Sequence, residues 1–158
     1  MRLLAVLLVP LMVLSLTGCA TTGSHGTFDQ NWPKVEPVVE NATAMAAQLA
    51  FVQPQIAPHK AKICEVVVQV SNVLDNTNAN SLEALRPMVM AQVQTFISQQ
   101  NLPPAQASVI IIVVEGVVTA GLQCAERNYQ DILAQDQAKA VLAVAKALSA
   151  GMKTACAQ

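Results

Sequence analysis

Aromatic and charged residues are both scarce in this chain. Phe, Trp and Tyr make up 3% of its 158 residues, and Asp, Glu, Lys and Arg together make up 12%. With so few rings, the core must be built from Val, Ile, Leu, Ala and Met, and platforms that stack against sugars or bases are not expected. No run of basic residues is present, which argues against a nucleic-acid partner.

The sequence also lacks the motifs of common enzymes and metal sites. It has no GxSxG motif and no His–Cys pairing at a recognisable spacing. A structural zinc site needs about four ligands at set spacings, which the cysteines and the two histidines do not provide. Glu65, Glu115, Asp131 and His59 are titratable but form no motif. We therefore predict a protein that is not an enzyme, with no catalytic residues, no metal and no cofactor; a small hydrolase is the disfavoured alternative.

The N-terminus has the layout of a secretory signal. Arg2 precedes an apolar stretch from Leu3 to Leu14, which is shorter than the roughly 20 residues that a membrane-spanning helix needs. The sequence Leu-Thr-Gly-Cys at 16–19 follows, and it resembles the lipobox of bacterial lipoproteins. The resemblance covers only these first 19 residues. It implies cleavage between Gly18 and Cys19, diacylation of the Cys19 thiol and acylation of the new amine.

This N-terminal sequence predicts a Gram-negative envelope protein held to the membrane by its N-terminal lipid. Lipoproteins retained at the inner membrane usually carry Asp after the cysteine, whereas this chain has Ala20. We therefore expect the inner leaflet of the outer membrane, facing the periplasm. The following residues are rich in Thr, Gly and Ser and predict a flexible tether. The expected organisation is a signal peptide at 1–18, the lipidated cysteine and tether at 19–32, and a helical domain at 33–158.

The body of the chain has the apolar periodicity of α-helices separated by Pro and Asn. We predict an all-α fold, a small bundle of four to five helices, with Asn80 capping the third and the last starting at about Asp131 or Asp136. The first helix is expected to run from about Val35 to Gln53. Its predicted inner face contains Val35, Val38, Val39, Ala42, Ala46, Leu49 and Val52.

The segment 109–122 is the most ambiguous part of the chain. Residues 109–114 are all β-branched, which favours a strand locally. However, the apolar character continues to Leu122 without a turn signal, and there is no second strand for pairing. We therefore predict the central helix of the bundle, with Glu115 beside a polar partner or at a groove. Insertion of 109–122 into a membrane, as in a holin, is the alternative; an acidic residue at the bilayer centre opposes it by about 3 kcal/mol.

Three cysteines lie in the predicted domain: Cys64, Cys124 and Cys156. An oxidising periplasm permits disulfides. In an up-down bundle, the helical rise places Cys64 and Cys156 near one end and Cys124 near the other. Bridged cysteines need Cα atoms within about 7 Å of each other. We therefore predict a Cys64–Cys156 disulfide that leaves Cys124 free.

The last helix carries a lysine every seven residues, at Lys139, Lys146 and Lys153. This row predicts either a solvated outer flank or contact with anionic headgroups. The leading functional hypothesis is a non-enzymatic lipoprotein that binds another envelope protein as an accessory module. A phage or prophage lipoprotein for superinfection exclusion or lysis is the alternative, and genes encoded nearby would discriminate between them.

Overall fold

The computed structural model describes residues 27–77, 79–134 and 136–158. The predicted signal peptide, Cys19 and most of the predicted tether therefore lie outside the described residues. The fold is all-α, a small helical bundle, as predicted. The described residues form five α-helices, α1 (Phe28–Phe51), α2 (Lys60–Asp75), α3 (Leu82–Gln100), α4 (Pro104–Leu133) and α5 (Gln137–Ala157), with a short 3-10 turn at Ala57–His59.

The ambiguous segment 109–122 is helical, as predicted, and lies within α4. Ile110, Val113, Val114, Val117 and Val118 are all buried. The described residues contain no strand that could pair with this segment, so only a helix satisfies its backbone hydrogen bonds internally. Burial among the other helices outweighs the local strand preference of β-branched residues.

The first helix begins earlier than the sequence predicts. Helix α1 starts at Phe28 rather than near Val35, with Thr27 at its N-cap and Gln30 accepting a hydrogen bond from the Thr27 N–H. Phe28 and Trp32 are buried, and their rings stack with centroids 5.5 Å apart. The predicted helix start near Val35 is therefore wrong, because these two rings belong to the core and hold the first turns of α1 in the helix.

Two other helix starts are fixed by capping side chains. Ser81, rather than the predicted Asn80, caps α3, and its hydroxyl accepts a hydrogen bond from the Ala84 N–H. Asp136 caps α5 by accepting from the Lys139 N–H, which selects the later of the two predicted starts.

The inner face of α1 also differs from the prediction. Val35 and Val39 are buried as predicted, but Leu49 and Val52 are exposed, and the core receives Thr43 and Ala47 instead. These smaller side chains face inward because α1 approaches its neighbours closely at this point.

Contacts at a constant sequence offset show that α1 and α5 run parallel. Lys139 binds Asp29, and Gln48 binds Gln158 at 2.7 Å; both pairs are separated by 110 residues. Helix α4 runs antiparallel to α1, because Thr43 meets Gly121 whereas Phe51, further along α1, shares an apolar void with Val113, which comes earlier in α4. These directions are those of an up-down bundle.

Candidate functional site

A disulfide joins the beginning of α2 to the last turn of α5. It links Cys64 to Cys156, whose Cα atoms are 5.6 Å apart and whose positions in the sequence differ by 92 residues. The expectation that Cys124 is a free thiol is wrong, because Cys124 is itself disulfide-bonded. The helical rise predicts that Cys124 lies at a different height along the bundle from the Cys64–Cys156 pair. It gives no information about any other bond that Cys124 forms.

Glu115 has a cationic partner on the neighbouring helix. Its carboxylate accepts a hydrogen bond from the Arg86 guanidinium of α3. The pair is partly solvated, since 38% of the Glu115 side chain and 51% of the Arg86 side chain are exposed. The predicted polar partner is therefore present, but both groups lie at the rim of the bundle, where an ion pair stabilises little.

The other titratable candidates do not gather around Glu115. Glu65 forms an ion pair with Lys62 within α2, His59 lies in the 3-10 turn, and Asp131 is exposed near the end of α4. Within the part of the chain that the structure describes, no group of three or more His, Cys, Asp or Glu residues could hold a metal ion. The arrangement therefore shows no acid–base pair built from these candidates.

Glu115→Gln provides a test of whether this carboxylate has a chemical role. Because the ion pair is solvated, we expect the free energy of unfolding to fall by no more than about 1 kcal/mol, with helix content and cellular function unchanged. Arg86→Gln should have the same small effect on chemical denaturation. Loss of cellular function in Glu115→Gln at unchanged stability and partner binding would instead assign chemistry to Glu115.

Two of the three lysines in the α5 row bind carboxylates on other helices. Lys139 pairs with Asp29 of α1 at 3.2 Å, and Lys153 pairs with Asp75 of α2 at 2.7 Å. Hydrogen bonding to Asp29 raises the pKa of Lys139. Burial opposes ionisation of Asp75, but the hydrogen bond from Lys153, the nearby Ser149 hydroxyl and the charges of Lys153 and Lys146 together lower its pKa below the ordinary value of 3.8. These pairings leave less positive charge available for anionic headgroups.

The void lined by residues of α1, α2, α4 and α5 is too small for a small-molecule ligand. Its volume is about 10 Å³ and its lining is apolar, with Phe51, Ile63 and Met152 among the contributing residues. That volume admits about one water molecule. Three buried polar atoms have no hydrogen-bond partner among the described residues, on Asn31, Ser71 and Ser149, and none of these residues lines the void.

Two helical stretches, Pro104–Arg127 and Gln137–Ala157, are long and apolar enough to cross a membrane. In this structure, the most apolar 18 residues are 44% buried in the first stretch and 56% buried in the second. Core helices of soluble proteins pass the same test, so length and composition do not favour insertion of 109–122 over the packing seen here.

The most unusual surface of the described domain is an apolar row on the outside of α1. Met45, Leu49 and Val52 are exposed to 56%, 40% and 71%, and Val38 and Ala42 continue the row as half-buried residues. We call these five residues the α1 apolar row. Sequence periodicity assigned Val38, Ala42, Leu49 and Val52 to the inner face of the helix and did not include Met45. The signal that could have identified the row is the absence of charge from Asn41 to Gln53.

Comparison with protein-family models, with curated proteins and with solved structures finds no match to this chain. Its function must therefore be inferred from its own residues.

Proposed function

We propose that this protein is a lipid-anchored accessory module of the Gram-negative envelope that binds protein and has no enzymatic activity. The observation that carries the proposal is the α1 apolar row, because exposed and contiguous apolar side chains on a folded domain are typical of interaction surfaces. Glu65 and Glu115 each pair with a cation and not with another titratable candidate, and the apolar void is too small for a substrate. Binding at a surface is the function that this geometry supports best.

The Cys64–Cys156 disulfide supports an extracytoplasmic location. Disulfides form and persist in the periplasm and are rare in the reducing cytosol. The lipobox-like sequence at 16–19 independently indicates export and anchoring at Cys19. These two features come from opposite parts of the chain and agree on one compartment. The location proposed is the inner leaflet of the outer membrane, with the domain in the periplasm.

The early start of α1 shortens the distance between the domain and the membrane. If Cys19 carries the lipid, residues 20–27 connect it to the helix, and such a segment spans at most about 28 Å. Helix α1 has 24 residues and is therefore about 36 Å long. Met45 and Leu49 lie in the half of α1 that is farther from the anchor, and Val52 follows the helix directly as its C-cap residue. We propose a partner that is itself held close to the same membrane, because the short tether limits how far the exposed part of the row can lie from it.

Mass spectrometry of the membrane-extracted protein tests the anchor. We expect a chain that lacks residues 1–18 and carries acyl groups at Cys19. Cys19→Ser should move the protein from the membrane to the soluble fraction and abolish its cellular activity. The melting temperature should not change if the predicted tether separates Cys19 from the helical domain.

Two results would contradict this assignment. One is a mature N-terminus at any position other than Cys19. The other is a peptide in which Cys19 is linked to Cys124, because an acylated sulfur cannot also form a disulfide.

A further inference from the structure

The α1 apolar row has the spacing of a coiled-coil seam. Its members Val38, Ala42, Met45, Leu49 and Val52 follow one another in alternating steps of four and three residues; the first four lie in α1 and Val52 is its C-cap residue. Steps of four and three keep one stripe of an α-helix facing a partner helix along its length. The row is therefore arranged to receive another helix side by side, rather than a single side chain.

The flanks of the row are compatible with an identical helix. No charged residue occurs from Asn41 to Gln53, and the polar residues beside the row include Asn41, Gln48 and Gln53. Two identical helices in register bring like residues together, so charged flanks would repel each other whereas neutral amides do not. A helix that binds anionic lipid carries Lys or Arg along its polar face, and this part of α1 carries neither.

We infer that the occupant of the α1 apolar row is the α1 apolar row of a second copy of this chain. The inference rests on the proposed lipid anchor, because two copies held in one leaflet by short tethers at the same end of α1 place these helices parallel. Pairing then follows a twofold axis along the membrane normal, and each row is buried by its counterpart. This contact would be one of the protein contacts through which the module acts.

The size of the row predicts that anchoring is needed for pairing. Stable interfaces bury about 800 Å² on each partner, and three exposed side chains with two half-buried neighbours provide much less. Confinement to one membrane raises the effective concentration of the second copy and compensates for a small contact. We therefore expect dimers at the membrane and monomers when the chain is released from it.

Site-specific photocrosslinking in the full-length protein tests this inference. A photoreactive amino acid at Leu49 should produce a crosslinked species of twice the monomer mass in the native envelope. Met45→Lys should reduce that species about tenfold or more, because pairing would bury an uncompensated ammonium group. Val68→Lys is the matched control. Val68 is 54% exposed on α2, close to the 56% of Met45, and lies outside the row, so the yield should not change.

The possible results separate this inference from the proposed function. An acylated protein that gives no homodimer overturns the pairing but leaves the anchored module intact. A crosslink at Leu49 to a different protein also overturns self-pairing while supporting a binding module. If Cys19 is not acylated, the proposed anchor fails, and the sensitivity of any homodimer to Met45→Lys then decides the pairing on its own. Equal yields in Met45→Lys and Val68→Lys contradict the seam in every case.

Discussion

Replacing Cys64 and Cys156 together by Ser should lower the free energy of unfolding by about 4 kcal/mol. The bond closes a loop of about 90 residues, and in the chain-entropy account the loss of loop-closure entropy in the unfolded chain grows with the length of the loop. Urea denaturation of the non-reduced protein, followed by circular dichroism, measures the change. Spectra at low urea should remain helical if the five-helix core folds without the bond.

The single variants provide the control for this result. Cys64→Ser and Cys156→Ser each remove the same bond, so each should cost nearly as much as the double replacement. If the two single replacements each lowered the free energy of unfolding only a little, and the two losses added up to that of the double replacement, the stabilisation would come from the packing of the two side chains. The cross-link between α2 and α5 would then contribute little.

The sequence predicts the architecture through features that act over many residues. The apolar continuity from Val109 to Leu122 is too long for a lone strand, and this identifies the helix that forms the centre of the bundle. The 1.5 Å rise per residue places Cys64 and Cys156 at one level of an up-down bundle, where the structure joins them. Helix number and direction are thus accessible without knowledge of any particular contact.

The orientation of α1 could not be predicted in this way. Hydropathy assigned Leu49 and Val52 to the core because they are larger and more apolar than Thr43 and Ala47. Thr43 is nevertheless fully buried, and its hydroxyl is satisfied by donating to the Val39 carbonyl at 2.8 Å. Where helices cross closely, the inward residue must be small, and hydropathy alone does not contain that condition.

The early start of α1 and the partner of Glu115 depend on distant parts of the chain. Phe28 and Trp32 follow a polar stretch rich in Thr and Gly, and only their burial in the folded core shows that they belong to the domain. Arg86 is 29 residues away from Glu115 in the sequence, and the antiparallel packing of α3 and α4 brings the two together. The exposure of the row on α1 likewise depends on which face of that helix the bundle buries.

Gly151→Ala should destabilise the bundle by about 1–3 kcal/mol, although alanine favours a helix more than glycine does. A Cβ at Gly151 would overlap the backbone oxygen of Glu40 and would lie 2.7 Å from the Cβ of Thr43. The backbone of α1 cannot move away at this point alone, because its buried residues on either side, Val39 and Ala47 among them, belong to the same core as those of α5. The two helices must therefore separate along their shared interface, with loss of packing.

Comparison with Gly121→Ala shows whether backbone contact is the cause. A Cβ at Gly121 would meet the end of the Leu148 side chain and, at 2.5 Å, the Thr43 hydroxyl, so that its close contacts are with side chains and not with backbone. We therefore expect Gly121→Ala to cost less than Gly151→Ala in urea denaturation. Gly116, which is only half-buried on α4, is the control, and Gly116→Ala should be neutral or stabilising. If both replacements lowered the free energy of unfolding equally, α1 and α5 would be free to move apart. The parallel packing of these two helices would then not be rigid.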